Sequence, residues 1–259
     1  MKLAGRVAIV TGSSMGIGEG MAAAFLREGA RIIVNSREQK RADQAAARLA
    51  KIAGEADRTL AVAADVSTRE GVDRLVGEAV QRWGRLDIMV NNAGTSMIAP
   101  SAELSETDWR RTIDLNLTGA FFGCQASARV MLPKRSGSII NVGSILGQLG
   151  LPKRAAYCAS KHGLIGLTKV LGTEWGRQGV RVNCINPGYI KTPMDVHDQA
   201  VGDYTDADIT RRTPAGRFGS VEEIATVAVW LASDDAAYVT GTTVDVDGGW
   251  VAYAGWGNY

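Results

Sequence analysis

Short apolar runs rich in β-branched residues recur along the chain, spaced widely enough for a helix between most neighbours. RVAIVT (6–11), RIIVNS (31–36), TLAVAA (59–64), LDIMVN (86–91), SIINVG (138–143), VRVNCI (180–185) and TTVDV (242–246) each read as a buried strand. The stretches between them, among them Ile17 to Glu28, Glu38 to Ile52 and Val72 to Trp83, are Ala-rich with helical period. Strands that alternate with helices and are apolar on both faces predict a parallel sheet covered by helices on each side. Gly29 and Gly84 stand at predicted helix ends, where a left-handed closing residue is least strained for glycine. A barrel is the competing fold. The glycine-rich turn after the first strand favours an open, doubly wound α/β sheet of seven strands, which binds ligands beyond its carboxyl ends. No repeat or linker divides the 259 residues, so 1–259 are expected to form a single domain, with 189–219 as a polar lid over the substrate.

Composition narrows the partners. A hydrophobic content of 46% with 22% charged residues is that of an ordinary globular protein. The net charge of +2 is spread without any block of like charges, so no nucleic-acid or membrane-surface partner is expected. No apolar run approaches the roughly 18 residues of a spanning helix. The first residues lead almost directly into a strand and lack a secretion signal. Cys124, Cys158 and Cys184 are widely spaced and form no CxxC pair, which suits reduced thiols and a cytoplasmic location. His162 and His197 have no metal-ligand company, and no metal is expected.

The candidate chemistry sits at the strand ends. Gly12, Gly16 and Gly18 in TGSSMGIG open a helix after the first strand. Bare backbone there permits a sharp turn and the approach of a pyrophosphate to the helix N-terminus, although a plain strand–helix turn has the same look. Asn35-Ser36-Arg37 follow the second strand with no acidic residue to hold a ribose 2′-hydroxyl. Ser36 and Arg37 suit a 2′-phosphate instead, which favours NADP over NAD, unless Arg37 merely begins a solvated helix. Asp65 either caps the next helix or accepts a hydrogen bond from an adenine. Asn91-Asn92-Ala93-Gly94 allow close approach of a flat ligand, or form a turn. Tyr157 and Lys161, four apart, share one helical face. An ammonium about 4 Å from a phenol contributes on the order of 4 kcal/mol at an effective dielectric near 20, enough to lower its pKa by roughly three before desolvation. Ser144, ending the fifth strand, has a hydroxyl able to steady a carbonyl or alkoxide.

With TGSSMGIG, NNAG, Asn116 in DLNLTG, Ser144, YCASK and PGYIKT in this order, the chain resembles the short-chain dehydrogenase/reductase family from Arg6 to Gly249. The resemblance implies an oxidoreductase acting on a hydroxyl/carbonyl pair, with Tyr157 as general acid/base and Ser144 holding the substrate oxygen. Lys161 would lower the tyrosine pKa and hold the nicotinamide ribose, and Asn116 would keep a relay water through its backbone. Gly12, Ser14, Ile17, Gly18, Ser36, Arg37, Asp65, Val66, Asn91, Ala93, Gly94, Pro187, Gly188, Ile190 and Thr192 would contact the cofactor together with Tyr157 and Lys161. Met15 departs from NADP-using relatives, many of which carry a basic residue there. A homotetramer is implied, built on residues around 112–132 and 154–176, and the aromatic tail VAYAGWGNY is expected to dock on its own or a neighbouring subunit. Asn35-Ser36-Arg37-Glu38, with Lys153 and Arg154, are similar to gluconate and sugar-alcohol members, implying a sugar acid, polyol or hydroxy-ketone substrate. A 3-oxoacyl-(acyl-carrier-protein) reductase is the second reading; Arg135 fits its carrier site, while Gln178 stands where a second arginine is expected and Arg177 adjoins it. A non-catalytic NADP-sensing regulator is the third.

Overall fold

A computed structural model of the chain describes residues 1–54, 56–202 and 204–255, with Ala56 and His197 described through the backbone alone. The predicted strands form as β1 (Val7–Val10), β2 (Arg31–Ser36), β3 (Thr59–Ala63), β4 (Ile88–Asn91), β5 (Gly137–Val142), β6 (Val180–Pro187) and β7 (Thr243–Val246). They pair in parallel in the order β3-β2-β1-β4-β5-β6-β7, in one seven-stranded sheet. The order reverses between β1 and β4, where the crossovers leave to opposite faces and a crevice opens above the strand ends.

Alternation along the strands sends side chains into two cores. Ala8 and Val10 of β1 pack with Met21 and Phe25 of α1 (Gly16–Arg27), Leu49 of α2 (Gln39–Ala53) and Ile224 and Leu231 of α9 (Val221–Ala232). Val7 and Ile9 face the opposite way, toward Leu75 of α3 (Arg69–Trp83), Met131 of α5 (Gly119–Lys134) and Leu171 of α6 (Ala155–Gly176). All four β1 side chains are fully buried, so the strand is apolar on both faces as the run RVAIVT predicts. Gly84 closes α3 in the left-handed region at φ +73°, as its place after the helical run predicts.

The hydrophobic pattern does not reveal three features. A short helix, α4 (Glu106–Ile113), precedes α5 and is capped by Ser105, whose hydroxyl accepts from the Asp108 amide at 3.0 Å. One π-helical turn, Asp114–Thr118, joins the two helices. The polar stretch 189–219 holds two helices, α7 (Pro193–Val201) and α8 (Asp206–Arg212), capped by Thr192 and Thr205. Gln199 ties them, donating to Asp195 at 3.1 Å and Asp206 at 2.8 Å. Trp250 of the tail packs on Tyr189 with ring centres 4.7 Å apart and lies under the Arg212 guanidinium at 4.1 Å. Residues 256–259, the end of the expected docking tail, lie outside the described residues. Among the described residues no helix is long and apolar enough to cross a membrane.

Candidate active site

A cleft of about 410 Å³ runs from the glycine-rich loop after β1, across the ends of β4 and β5, to α7. Its floor at one end is backbone. Gly12 adopts φ +62°, and a Cβ there would stand 3.1 Å from the Ala93 Cα. A Cβ on Gly18 would stand 2.5 Å from both Asn92 Nδ2 and the Gly12 carbonyl oxygen. Glycine at these positions lets the loop, the start of α1 and the end of β4 close on one another. Met15, the residue before α1, offers no side-chain cap, so the helix directs its first N–H groups at the cleft. Asn35 locks the loop: its Oδ1 accepts from Gly12 N at 3.1 Å, while its Nδ2 donates to the Val62 and Ala64 carbonyls at 3.2 Å. Thr11 fixes the opposite wall, its hydroxyl accepting from the Asn92 and Ala93 amides at 2.9 and 3.0 Å.

Ser14, Ile17, Gly18, Ser36, Arg37, Val66, Ala93, Gly94, Ser144, Tyr157, Lys161, Pro187, Gly188, Ile190 and Thr192 join Gly12 along this cleft. Three sequence-predicted residues do not line it. Asn91 is 6% exposed and turns inward, donating to Asn141 Oδ1 at 2.9 Å and Cys124 Sγ at 3.3 Å. Its neighbour Asn92, on the other face of the strand end, takes the cleft side. Asp65 lies at the rim and neither caps α3, which Thr68 does, nor enters the cleft. Burial opposes its charge, but hydrogen bonds from Ser67 and the nearby Arg37 guanidinium hold its carboxyl below the usual range. Asn116 is 2% exposed in the π-helical turn. Its side chain clamps Thr95, accepting from N at 2.9 Å and donating to O at 3.0 Å, and donates to Ser160 Oγ at 3.1 Å. The wider turn tilts backbone carbonyls out of the helical ladder, a distortion frequent at functional sites.

Sequence reasoning missed Arg41, four residues beyond Arg37 in the first turn of α2, which lines the same end of the cleft and pairs with Glu38 at 3.2 Å. The spacing of four in Arg37-Glu-Gln-Lys-Arg41 was its signal. It also missed how Ser96, Asp198, Tyr189 and Tyr204 gather at the far end around Arg154.

Tyr157 and Lys161 stand one turn apart on α6, below Ser144 at the end of β5. The Ser144 hydroxyl accepts from Leu146 N at 3.1 Å and lies close enough to the Tyr157 phenol to favour its ionised form. Lys161 differs from its sequence-based expectation. Its Nζ donates to the Val142 carbonyl at 2.7 Å and lies 5.6 Å from the centre of the Tyr157 ring. Burial pushes the phenol pKa up, with the Ser144 hydroxyl opposing the rise, and burial pulls the Lys161 pKa down to about 8. Desolvation sets both directions, and the ammonium rests on a carbonyl rather than on the phenol oxygen. The group holds a neutral phenol that can give or take one proton beside a second hydroxyl. Among the described residues no group of three or more His, Cys, Asp or Glu is placed to hold a metal ion.

The chain is similar to known proteins along nearly its whole length. The family model described as enoyl-(acyl carrier protein) reductase matches residues 12–251. The chain is 40% identical to a D-threitol dehydrogenase of Mycolicibacterium smegmatis, over 96% of this chain and 94% of that one. It is 37% identical to a 3-oxoacyl-(acyl-carrier-protein) reductase of Thermotoga maritima, over 97% of this chain and all (100%) of that one. A solved gluconate 5-dehydrogenase of Burkholderia cenocepacia, in complex with NADP and tartrate, superposes with a TM-score of 0.90 at 36% identity, covering 98% of both chains. The coverage spans the glycine-rich loop, the Ser144–Tyr157–Lys161 group and the segment above them, so the chain belongs to the short-chain dehydrogenase/reductase family and is an oxidoreductase acting on CH–OH groups.

Proposed function

We propose that the protein transfers a hydride between NADP(H) and the hydroxyl or carbonyl group of a small polar substrate, a polyol, sugar acid or hydroxy-ketone. The observation that carries this reading is the continuity of one cleft from Ser36 and Arg37, past the glycine-rich loop, to Ser144, Tyr157 and Lys161. The cleft suits the cofactor at both ends: a side-chain-free cradle lies at the start of α1, and the guanidinium groups of Arg37 and Arg41 lie beyond β2. When bound, the nicotinamide supplies or accepts the hydride. Ser144 holds the substrate oxygen through its hydroxyl, and Tyr157 Oη passes the proton to it in reduction or takes it in oxidation. Lys161 keeps positive charge next to the site, and the π-helical turn at Asn116 offers backbone carbonyls for a relay to solvent. Asp65 and Asn91 serve the cofactor through the strand ends they shape.

Segment 189–219 acts as a lid in this reading. Thr192 and Ile190 touch the cofactor end, while Asp198 and Tyr204 touch the substrate end. The NADP- and tartrate-bound gluconate 5-dehydrogenase and the relative named for D-threitol support a small polar substrate. The second reading, a 3-oxoacyl-(acyl-carrier-protein) reductase, draws on the relative so named and on Arg135, whose guanidinium reaches the Arg177 carbonyl at 2.9 Å and sets two arginines side by side. We place the protein in a reducing compartment, the cytoplasm, on the strength of its three free cysteines, two of them buried. A homotetramer is supported by large apolar side chains facing outward on α4, α5 and α6, namely Trp109, Phe121 and Val170. Monomeric sedimentation at micromolar concentration would refute the assembly.

The test of the function is a panel of alditols, aldonates, hydroxy-ketones and a 3-oxoacyl thioester, followed at the nicotinamide absorbance with NADP+ and NADPH. Turnover of at least one of the first three classes is expected. Turnover of the thioester alone would select the second reading, and no turnover of any would overturn the oxidoreductase assignment to these substrates.

A further inference from the structure

The far end of the cleft is built around a buried ion pair. Arg154, 4% exposed, donates from Nη1 to Asp198 Oδ2 at 2.9 Å and to the Ser96 hydroxyl, and from Nη2 to the Tyr204 hydroxyl at 3.5 Å. Lys153 just before it occupies the left-handed region at φ +64°, a conformation uncommon outside glycine that fixes how the chain delivers Arg154 into α6. Asp198 comes from the opposite side, on α7. Its Oδ2 meets the guanidinium, but its Oδ1 is shut off from bulk water and has no hydrogen-bond partner among the described residues. A buried carboxylate oxygen without a donor is unfavourable by a sizeable fraction of a protein's stability, and such atoms in native structures call for an explanation. Both side chains act electrostatically on Tyr157, which places the pair within reach of the reacting centre.

The chemistry of that oxygen sorts the substrates. A carboxylate is acceptor-only, and so is a thioester carbonyl; neither can satisfy Asp198 Oδ1. A carboxylate would also have to share the guanidinium with Asp198 and sit near Asp195, which is 8% exposed on the same helix and lines the same cleft. A hydroxyl both donates and accepts. It can give its proton to Asp198 Oδ1 while its oxygen receives from Arg154 or Ser96. Arg154 stands at the N-cap of α6, three residues before Tyr157, and both side chains line the cleft, so a short carbon chain spans them.

Resting on the reading of Tyr157 as the proton carrier, we propose that Arg154 and Asp198 form a recognition site for a second hydroxyl of an uncharged polyhydroxylated substrate. That hydroxyl lies two or three carbons from the carbinol being oxidised. The pair selects polyols over the sugar acids and acyl thioesters that other members accept. Oδ1 is sealed in the present position of α7, so the proposed contact requires a small displacement of that helix on substrate entry.

Two matched series test this, each varying only the distant group on one carbon frame. Butane-1,3-diol, 3-hydroxybutyrate and butan-2-ol place a hydroxyl, a carboxylate or a methyl group two carbons from the carbinol. Pentane-1,4-diol, 4-hydroxypentanoate and pentan-2-ol place them three carbons away. Alditols of four to six carbons are run beside both, all with NADP+. In at least one series kcat/KM for the diol should exceed that of the acid and of the plain alcohol by about ten- to a hundredfold, the range of a charge-assisted hydrogen bond. Asp198→Asn, nearly isosteric, should reduce the diol's advantage over the plain alcohol to within about threefold, chiefly through KM. It should also raise the acid relative to the diol, because the freed guanidinium keeps its charge. A wild type that prefers the acid or the plain alcohol in both series, or an Asp198→Asn enzyme with unaltered preference, overturns the inference while leaving Tyr157 chemistry intact. If neither series nor any alditol is oxidised, and their ketones are not reduced by NADPH, the underlying reading falls with it.

Discussion

Lys161 Nζ hydrogen-bonds the carbonyl oxygen of Val142 at 2.7 Å while lying 5.6 Å from the centre of the Tyr157 ring. The ammonium is thus anchored to the end of β5 rather than spent on the phenol oxygen. It is 4% exposed, and burial brings its pKa from 10.5 to about 8. A lysine whose folded pKa is depressed binds fewer protons folded than unfolded between those two values, so its contribution to stability improves as pH rises through that window. This fall of about 2.5 corresponds to about 3 kcal/mol. Lys161→Met removes the charge at similar volume. Denaturant unfolding of both proteins should show wild type gaining on the variant by about that amount between pH 8 and pH 10.5, with the difference constant below pH 7. A pH-independent difference would show that Lys161 is not held at this depressed value.

The phenol responds in the opposite direction. Burial raises the Tyr157 pKa, so at neutral pH the side chain carries its proton and is ready for reduction. Oxidation needs the ionised form, and its kcat/KM should climb with pH where reduction stays level. Tyr157→Phe removes only the transferable proton and the contact to Ser144. Turnover should drop at least a thousandfold in both directions, with NADPH affinity changed no more than a few-fold. Retention of a tenth of kcat would show that another group carries the proton.

Sequence alone gave the sheet and most of the cleft because both depend on local pattern. Apolar runs mark buried strands, and TGSSMGIG marks the one place where the backbone must turn without side chains. What stayed hidden depends on side-chain direction and on distant partners. Asn91 and Asn92 are identical in type and adjacent, but only strand pairing, with Asn91 opposite Asn141 in β5, fixes which one turns inward. Asn35 looks like part of a ribose-binding tripeptide and is instead the fastener of the glycine-rich loop. Arg154 and Asp198 are 44 residues apart, and no spacing rule joins them. The setting of Lys161 stayed hidden for a similar reason: helical spacing puts it on the right face but cannot report the Val142 carbonyl that holds its ammonium.

Gly18 offers a test of the cradle that does not involve charge. A methyl group there would meet the Gly12 carbonyl and Asn92 Nδ2 at 2.5 Å, and backbone cannot yield as a flexible side chain would. Gly18→Ala should destabilise the fold by about 1–3 kcal/mol through overpacking. It should also weaken NADPH binding, read by fluorescence titration, more than it changes substrate KM. A variant with wild-type melting temperature and cofactor affinity would mean that the loop and α1 are not tightly apposed.

Trp250 links the tail to segment 189–219 through Tyr189, and Tyr189 meets Tyr204 edge-on at 5.9 Å near the Arg154 end of the cleft. Trp250→Ala should loosen this stack, raising substrate KM several-fold and speeding proteolysis within 189–219, while NADPH affinity holds. Unchanged KM and cleavage would detach the tail from the active site.

Cofactor choice rests on the end of β2. Asn35, Ser36 and Arg37 include no carboxylate, and Ser36, Arg37 and Arg41 all line the cleft there. A charge-assisted hydrogen bond to an exposed phosphate is worth about 1.5–3 kcal/mol, and each 1.4 kcal/mol is tenfold, so NADP(H) should be preferred by roughly ten- to a hundredfold. Met15 supplies no charge, but Arg41 does. Its pairing with Glu38 means that a phosphate must compete with a carboxylate for it. Arg37→Ala should therefore raise KM for NADPH by about tenfold, and Arg41→Ala by no more than about threefold, each leaving NADH nearly unchanged. Ser36→Asp should reverse the preference, since the new carboxylate repels a 2′-phosphate and accepts a hydrogen bond from a free 2′-hydroxyl. The measurement is kcat/KM for both cofactors on wild type and the three variants. A wild type favouring NADH, or discrimination untouched by Arg37→Ala, would reduce Arg37 to a solvated residue before α2. A larger loss from Arg41→Ala than from Arg37→Ala would move the phosphate four residues along, onto the residue that the sequence did not single out.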